Sequence, residues 1–141
     1  MARNKARTDK DSIRAHVINL LHILHPAIQR MPKIERIEGA PQEMKRACYD
    51  IIRHFSAAKE CPESRLESIR AMFGDFGVLL AAFELCTAFG LLTDSSALRI
   101  AMCTEKIEEG IRKWRNATRS IKCQERQEVG DASQEPAAST M

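Results

Sequence analysis

Four basic residues, Arg112, Lys113, Arg115 and Arg119, crowd into one short stretch in the last third of the chain. Guanidinium and ammonium groups at this density suit a polyanion: they neutralise phosphates and release condensed counterions without reading base sequence. A second set lies earlier. Lys33 and Arg36 fall in "RMPKIERIEGAPQEM", and Lys45 and Arg46 follow it directly. Both sets are candidates for nucleic-acid or partner binding. The net charge is only +3, so the distribution matters more than the total. Residues 99–122 carry seven basic side chains against three acidic ones, whereas 123–141 is acidic. Such asymmetry permits a polyanionic partner.

Other residues that could do chemistry lack the arrangement it needs. Asp75-Phe76-Gly77 spells the kinase metal-binding tripeptide, but neither a Gly-rich loop nor a catalytic loop accompanies it. Its plain reading is a pair of glycines where a helix packs closely or bends. His22 and His25 stand one helical turn apart and could form the edge of a metal site, with no obvious third ligand. No histidine follows a glutamate by three positions, as a di-iron bundle requires. Glu108 and Glu109 are adjacent and point in different directions, so they do not form an acid–base pair. No two of the five cysteines are closer than 13 positions, which excludes a CxxC zinc pattern. Cys48, Cys86 and Cys103 read as reduced, buried, apolar residues. No catalysis, cofactor or metal is expected, and the surface must carry the function.

Helical elements position these side chains. The chain has 141 residues, enough for one domain, and is 44% apolar. No apolar run approaches a membrane span and the basic N-terminus is no secretory signal, so a cytoplasmic protein is expected. Asp11 or Ser12 can cap a first helix over residues 11–30, whose apolar face is Ile13, Val17, Leu20, Leu21, Leu24 and Ile28. Pro26 predicts a kink or short break near His22. A second helix starts at Pro41 and ends near Lys59, with a stripe of Met44, Cys48, Ile51, Ile52 and Phe55. A third opens at Pro62 or Ser64 and runs to Phe89, apolar on most sides, and is expected to be the most buried; Gly90 stops it. A fourth, capped by Thr93 or Asp94, has a seam of Ala97, Ile100, Thr104, Ile107, Ile111, Trp114, Thr118 and Ile121. The fold class is therefore all-α: an up-down-up-down antiparallel four-helix bundle over 11–122, with a basic flexible tail over 1–10 and a disordered acidic tail over 123–141.

In the connection between the first two helices, Pro32 disfavours helix at Met31, Gly39 permits a special turn, and Pro41 starts the second helix. Its charged residues keep it solvated, and Lys33 and Arg36 would lie on a partner-facing rim.

"ILHPAIQRMPKIERIEGAPQEMKRACYDIIRHFSAAKE" resembles the first half of the accessory variability determinant (Avd) proteins of bacterial diversity-generating retroelements. Met31-Pro32-Lys33, Arg36, Gly39, Glu43-Met44 and the stretch from Tyr49 to Ile52 match that family's pattern in order. "RLESIRAMFGDFGVLLAAFELCTAFGLLTDSS" is similar to its third helix and turn. "IEEGIRKWRNATR", with Gly110 and Trp114, is similar to its closing helix. The resemblance covers about residues 12–120. It implies a four-helix bundle, a ring-like homopentamer, and binding to a reverse transcriptase and its template RNA or cDNA during mutagenic retrohoming. Two features depart from the pattern: residues 71–89 contain no Lys or Arg, and the C-terminal segment is acidic. A sister family of four-helix proteins, encoded in ribosomal RNA intervening sequences, shares the fold. An oligomeric helical scaffold that binds protein alone is the alternative function.

Overall fold

Apolar residues at three- and four-residue spacing recur through most of the chain, and helix is the observed outcome. The computed structural model describes the backbone of residues 2–139 and the side chains of residues 13–127. Its elements are α1 (Ala2–Gln29), α2 (Lys33–Glu38), α3 (Ala40–Glu60), a short 3₁₀ turn (Pro62–Ser64), α4 (Arg65–Ala88) and α5 (Asp94–Ser139). No strand occurs among the described residues.

The four long helices enclose one core. Ile13, Val17, Leu20 and Leu24 of α1 meet Cys48, Ile51 and Phe55 of α3 there. Ile69, Met72 and Leu79 of α4 and Ile100, Ile107 and Ile111 of α5 complete it. The most extensive pairing is α3 with α4, then α1 with α5; α4–α5 and α1–α3 contacts close the set. Met44 Sδ lies 3.6 Å from Cys86 Sγ, so the start of α3 sits beside the end of α4. Midway along the same pair, His54 Nδ1 lies 2.5 Å from Asp75 Oδ2.

The ends of the elements follow local chemistry. Thr93 caps α5, its hydroxyl accepting the Ser96 amide at 3.1 Å. Gly90, with φ +67°, turns the chain out of α4, and the Leu91 amide reaches back to the Cys86 carbonyl at 3.0 Å. That bond spares an end-of-helix carbonyl, and the left-handed conformation favours glycine.

Several expectations are corrected. Helix α1 is continuous through Pro26, which lies on the exposed side, where water can reach the His22 carbonyl. Asp11 and Ser12 are internal to α1 and do not cap it. The first connection holds an extra helix, α2, with Pro32 at its N-cap. Gly39 has φ −86°, which any residue can adopt. Its small size matters instead, because a Cβ there would overlap the Glu35 side chain and come within 3.1 Å of the Glu35 carbonyl oxygen. Gly74 and Gly77 mark no close packing, since a Cβ at either meets nothing within 4 Å. Helix α4 is not the most buried: Val78 and Leu85 are about half-exposed, and Phe89 just past its end is more so. Ile121 is also exposed, so the α5 seam ends at Thr118. Cys48 and Cys86 are buried but Cys103 is only half-buried. The segment Pro62–Ala88 is long enough, and contains a stretch apolar enough, to cross a membrane by composition, although Ile69, Met72, Phe76 and Leu79 turn one face into the core. The expected tails, 1–10 and 123–141, fall largely outside the residues whose side chains are described. The backbone of 2–10 and 123–139 is helical, and residues 123–127 are exposed.

Candidate nucleic-acid interface

On α5 the buried positions Ile107, Ile111, Trp114 and Thr118 fix the rotation of the helix. Arg115 and Arg119, one turn apart, consequently fall at the edge of the seam facing α4. Ile69 anchors α4 in the same way and sets Arg70 and Phe73 at its own edge. Arg70, Arg115 and Arg119, with Leu66 and Phe73, line a cavity of about 190 Å³ between the two helices. The Arg115 guanidinium carbon sits 4.8 Å from the Phe73 ring centroid. Its Nε is buried and has no hydrogen-bond partner. Among the described residues, none of the three arginines forms an ion pair. Three neighbouring guanidinium groups with no lining carboxylate repel one another, and each carries a planar fork of donors. An oxyanion satisfies both conditions, and phosphate matches the fork.

The predicted α5 patch therefore divides. Arg112 is hydrogen-bonded to Glu108, and Lys113 Nζ lies 3.0 Å from Glu109 Oε1. These are exposed pairs one turn apart, worth about 0–1 kcal/mol each, which locally offset the two charges. Arg115 and Arg119 have no such carboxylate partner, and Arg70 joins them at the cavity. Sequence reasoning passed over Arg70 because it precedes the Lys- and Arg-free stretch 71–89. Its available signal was its spacing, three residues before Phe73 and beside the core residue Ile69.

Lys33, Arg36 and Lys45 converge at the other predicted site. They line a cavity of about 300 Å³ together with His25 and Gln42. The Gln42 amide donates to the Arg36 carbonyl, tying α3 back to α2. Arg36 Nε, like that of Arg115, is buried without a partner. Arg46 stands apart: it is exposed and lies 3.5 Å from Glu43.

The remaining polar groups have structural work. His54 and Asp75 join α3 to α4, a contact hidden in the sequence by 21 intervening positions. The Arg65 Nε donates to the Ala58 carbonyl at 2.8 Å, and its guanidinium covers Trp114 at 5.6 Å. Burial pushes the Cys48 thiol up to about 12, helped by Cys103, and the Cys86 thiol to about 11, helped by Glu35. Both thiols stay protonated near neutral pH, the unreactive form. Among the described residues, no three His, Cys, Asp or Glu side chains cluster to hold a metal ion.

Set against known proteins, the chain matches no family model, no curated protein and no solved structure.

Proposed function

We propose that this chain is a non-catalytic accessory protein of a diversity-generating retroelement. In this reading it acts in the cytoplasm, binding the reverse transcriptase and the template RNA or cDNA to support mutagenic retrohoming. Its four long helices form an up-down-up-down antiparallel bundle, and the bundle assembles as a homopentamer. The observation that carries the reading is the α4–α5 cluster of Arg70, Arg115 and Arg119, unpaired among the described residues and gathered round one cavity. The sequence resemblance supplies the biological setting. The exposed apolar side chains of Val78, Leu85 and Phe89 supply a surface for assembly.

The test is reconstitution with the reverse transcriptase and its template RNA. Arg70→Glu with Arg119→Glu should abolish RNA binding and cDNA synthesis while helicity and particle size stay unchanged. Both residues are exposed, so the reversal does not enter the core. Undiminished RNA binding by this variant would refute the reading.

The second reading is an oligomeric scaffold that binds protein alone. The Arg112–Glu108 and Lys113–Glu109 pairs favour it, because they make part of the α5 face a self-neutralised surface. Reverse-transcriptase binding without any RNA binding would select it.

A further inference from the structure

The Lys33–Arg36–Lys45 cavity does not end at its cations. His25 and Lys45 also line a second, adjoining cavity of about 720 Å³ between α1 and α3. The walls of this larger space are mainly apolar or flat: Leu21, Pro26, Tyr49, His22 and His25. The Tyr49 side chain is half-exposed into it, at 51%. No carboxylate lines either cavity. The two form one groove, with three basic residues at one end and aromatic and imidazole rings at the other.

We propose that this groove binds a nucleoside monophosphate unit, with the phosphate at Lys33, Arg36 and Lys45 and the base against Tyr49 and the imidazoles. Two features select this ligand. Three cations match a dianionic phosphate better than a single carboxylate. Lys45 and Tyr49 are one turn apart on α3, about 6 Å between Cβ atoms, comparable with the reach from a nucleotide's phosphate across the sugar to its base. Flat side chains then offer the base a stacking surface that tolerates any base. The groove is built from α1, α2 and α3 and shares no lining residue with the α4–α5 arginine cavity. It is a separate site, and it does not require the proposed function to be right.

Isothermal titration of the full chain with adenosine 5′-monophosphate, adenosine and inorganic phosphate tests the proposal. The monophosphate should bind at least about tenfold more tightly than either fragment, since each end contributes. Tyr49→Ala should weaken it about tenfold by removing the stacking face. Arg36→Gln should do so by removing a charge-assisted donor. Lys33→Gln, at an exposed residue, gives the same readout if Arg36→Gln fails to fold. Repeating the titration in the Arg70→Glu, Arg119→Glu background removes any phosphate binding between α4 and α5; the Tyr49-dependent binding should persist there, so failure at one site is distinguishable from failure at the other. Competition by a 5′-phosphorylated RNA hexamer and not by its 5′-hydroxyl form would support a strand end as the source. Displacement by the mononucleotide alone would support a free nucleotide. No binding of the monophosphate at millimolar concentration, affinity unchanged by Lys33→Gln and Tyr49→Ala together, or binding of an acidic peptide in its place would overturn the proposal.

Discussion

Replacing Trp114 with alanine probes the packing that positions the α5 arginines. The indole is 7% exposed, and its ring centroid lies 5.3 Å from that of Phe55, the two planes tilted by 56°. The Arg65 guanidinium carbon stands 5.6 Å from the indole centroid. Alanine removes the buried ring and leaves a cavity, a change that costs about 3–5 kcal/mol in well-packed cores. The lost aromatic pair is worth roughly 0.5–1.5 kcal/mol of that. Alanine is the strongest helix former, so no loss of intrinsic helix propensity obscures the packing loss. A loss of about 4 kcal/mol should lower Tm by roughly 10–20 °C for a domain of this size. Thermal unfolding followed by circular dichroism at 222 nm measures it, with Trp114→Phe falling between the two. An unchanged Tm in Trp114→Ala would refute the packing argument. If RNA binding were lost as well, the indole would be a contact residue on a binding surface.

Three further outcomes follow from burial and charge. Maleimide should modify the exposed Cys61 and Cys123 rapidly in the native protein, while Cys48 and Cys86 react only on unfolding; equal rates at all four would contradict the core assignment. The His16 imidazole is held below its ordinary value, mainly by burial and then by the Lys106 charge, with Glu109 opposing. Its stability contribution is fully present above about pH 6.5, and it falls as pH drops through the lower folded value because the unfolded state takes the proton first. His16→Gln should therefore flatten the Tm–pH curve between about pH 7.5 and 5, and a curve of unchanged shape would remove His16 as its cause. Leu85→Glu with Phe89→Glu should convert the proposed pentamer to monomers of unchanged helicity by light scattering; a wild-type monomer at micromolar concentration would end the assembly model.

Patterns tied to the core were legible in the sequence, and most features set by the surface were not. Ile13, Val17, Leu20 and Leu24 recur at helical spacing because one face of α1 must be apolar, and all four are buried. Trp114 was legible for the same reason. Helix α2 left no such mark, because it buries no side chain: Ile34 and Ile37 are both exposed, so its apolar pair does not point to the core. The predicted exit from α4 at Gly90 was read from glycine's access to positive φ, and it is there. The role of Gly39 was misread because its constraint is a close neighbour and not a dihedral angle. At the candidate sites, sequence identified Arg115, Arg119, Lys33, Arg36 and Lys45 by type. The pairing of Glu108 with Arg112 and of Glu109 with Lys113 was legible from their i,i+4 spacing on the predicted helix, but those glutamates were weighed only as an acid–base pair. Arg70 belongs to α5's cluster through tertiary packing alone.

The central claim is that the α4–α5 arginines bind nucleic-acid phosphate. Fluorescence anisotropy of a labelled single-stranded RNA, titrated at salt concentrations from about 50 to 200 mM, tests it most directly. Each phosphate contact contributes about −0.7 to the slope of log K against log salt for a single strand. Arg70→Gln with Arg119→Gln should therefore make the slope shallower by about 1.4 and weaken binding most at low salt. An unchanged slope and unchanged affinity in that variant would contradict the account and leave these arginines as a solvated face.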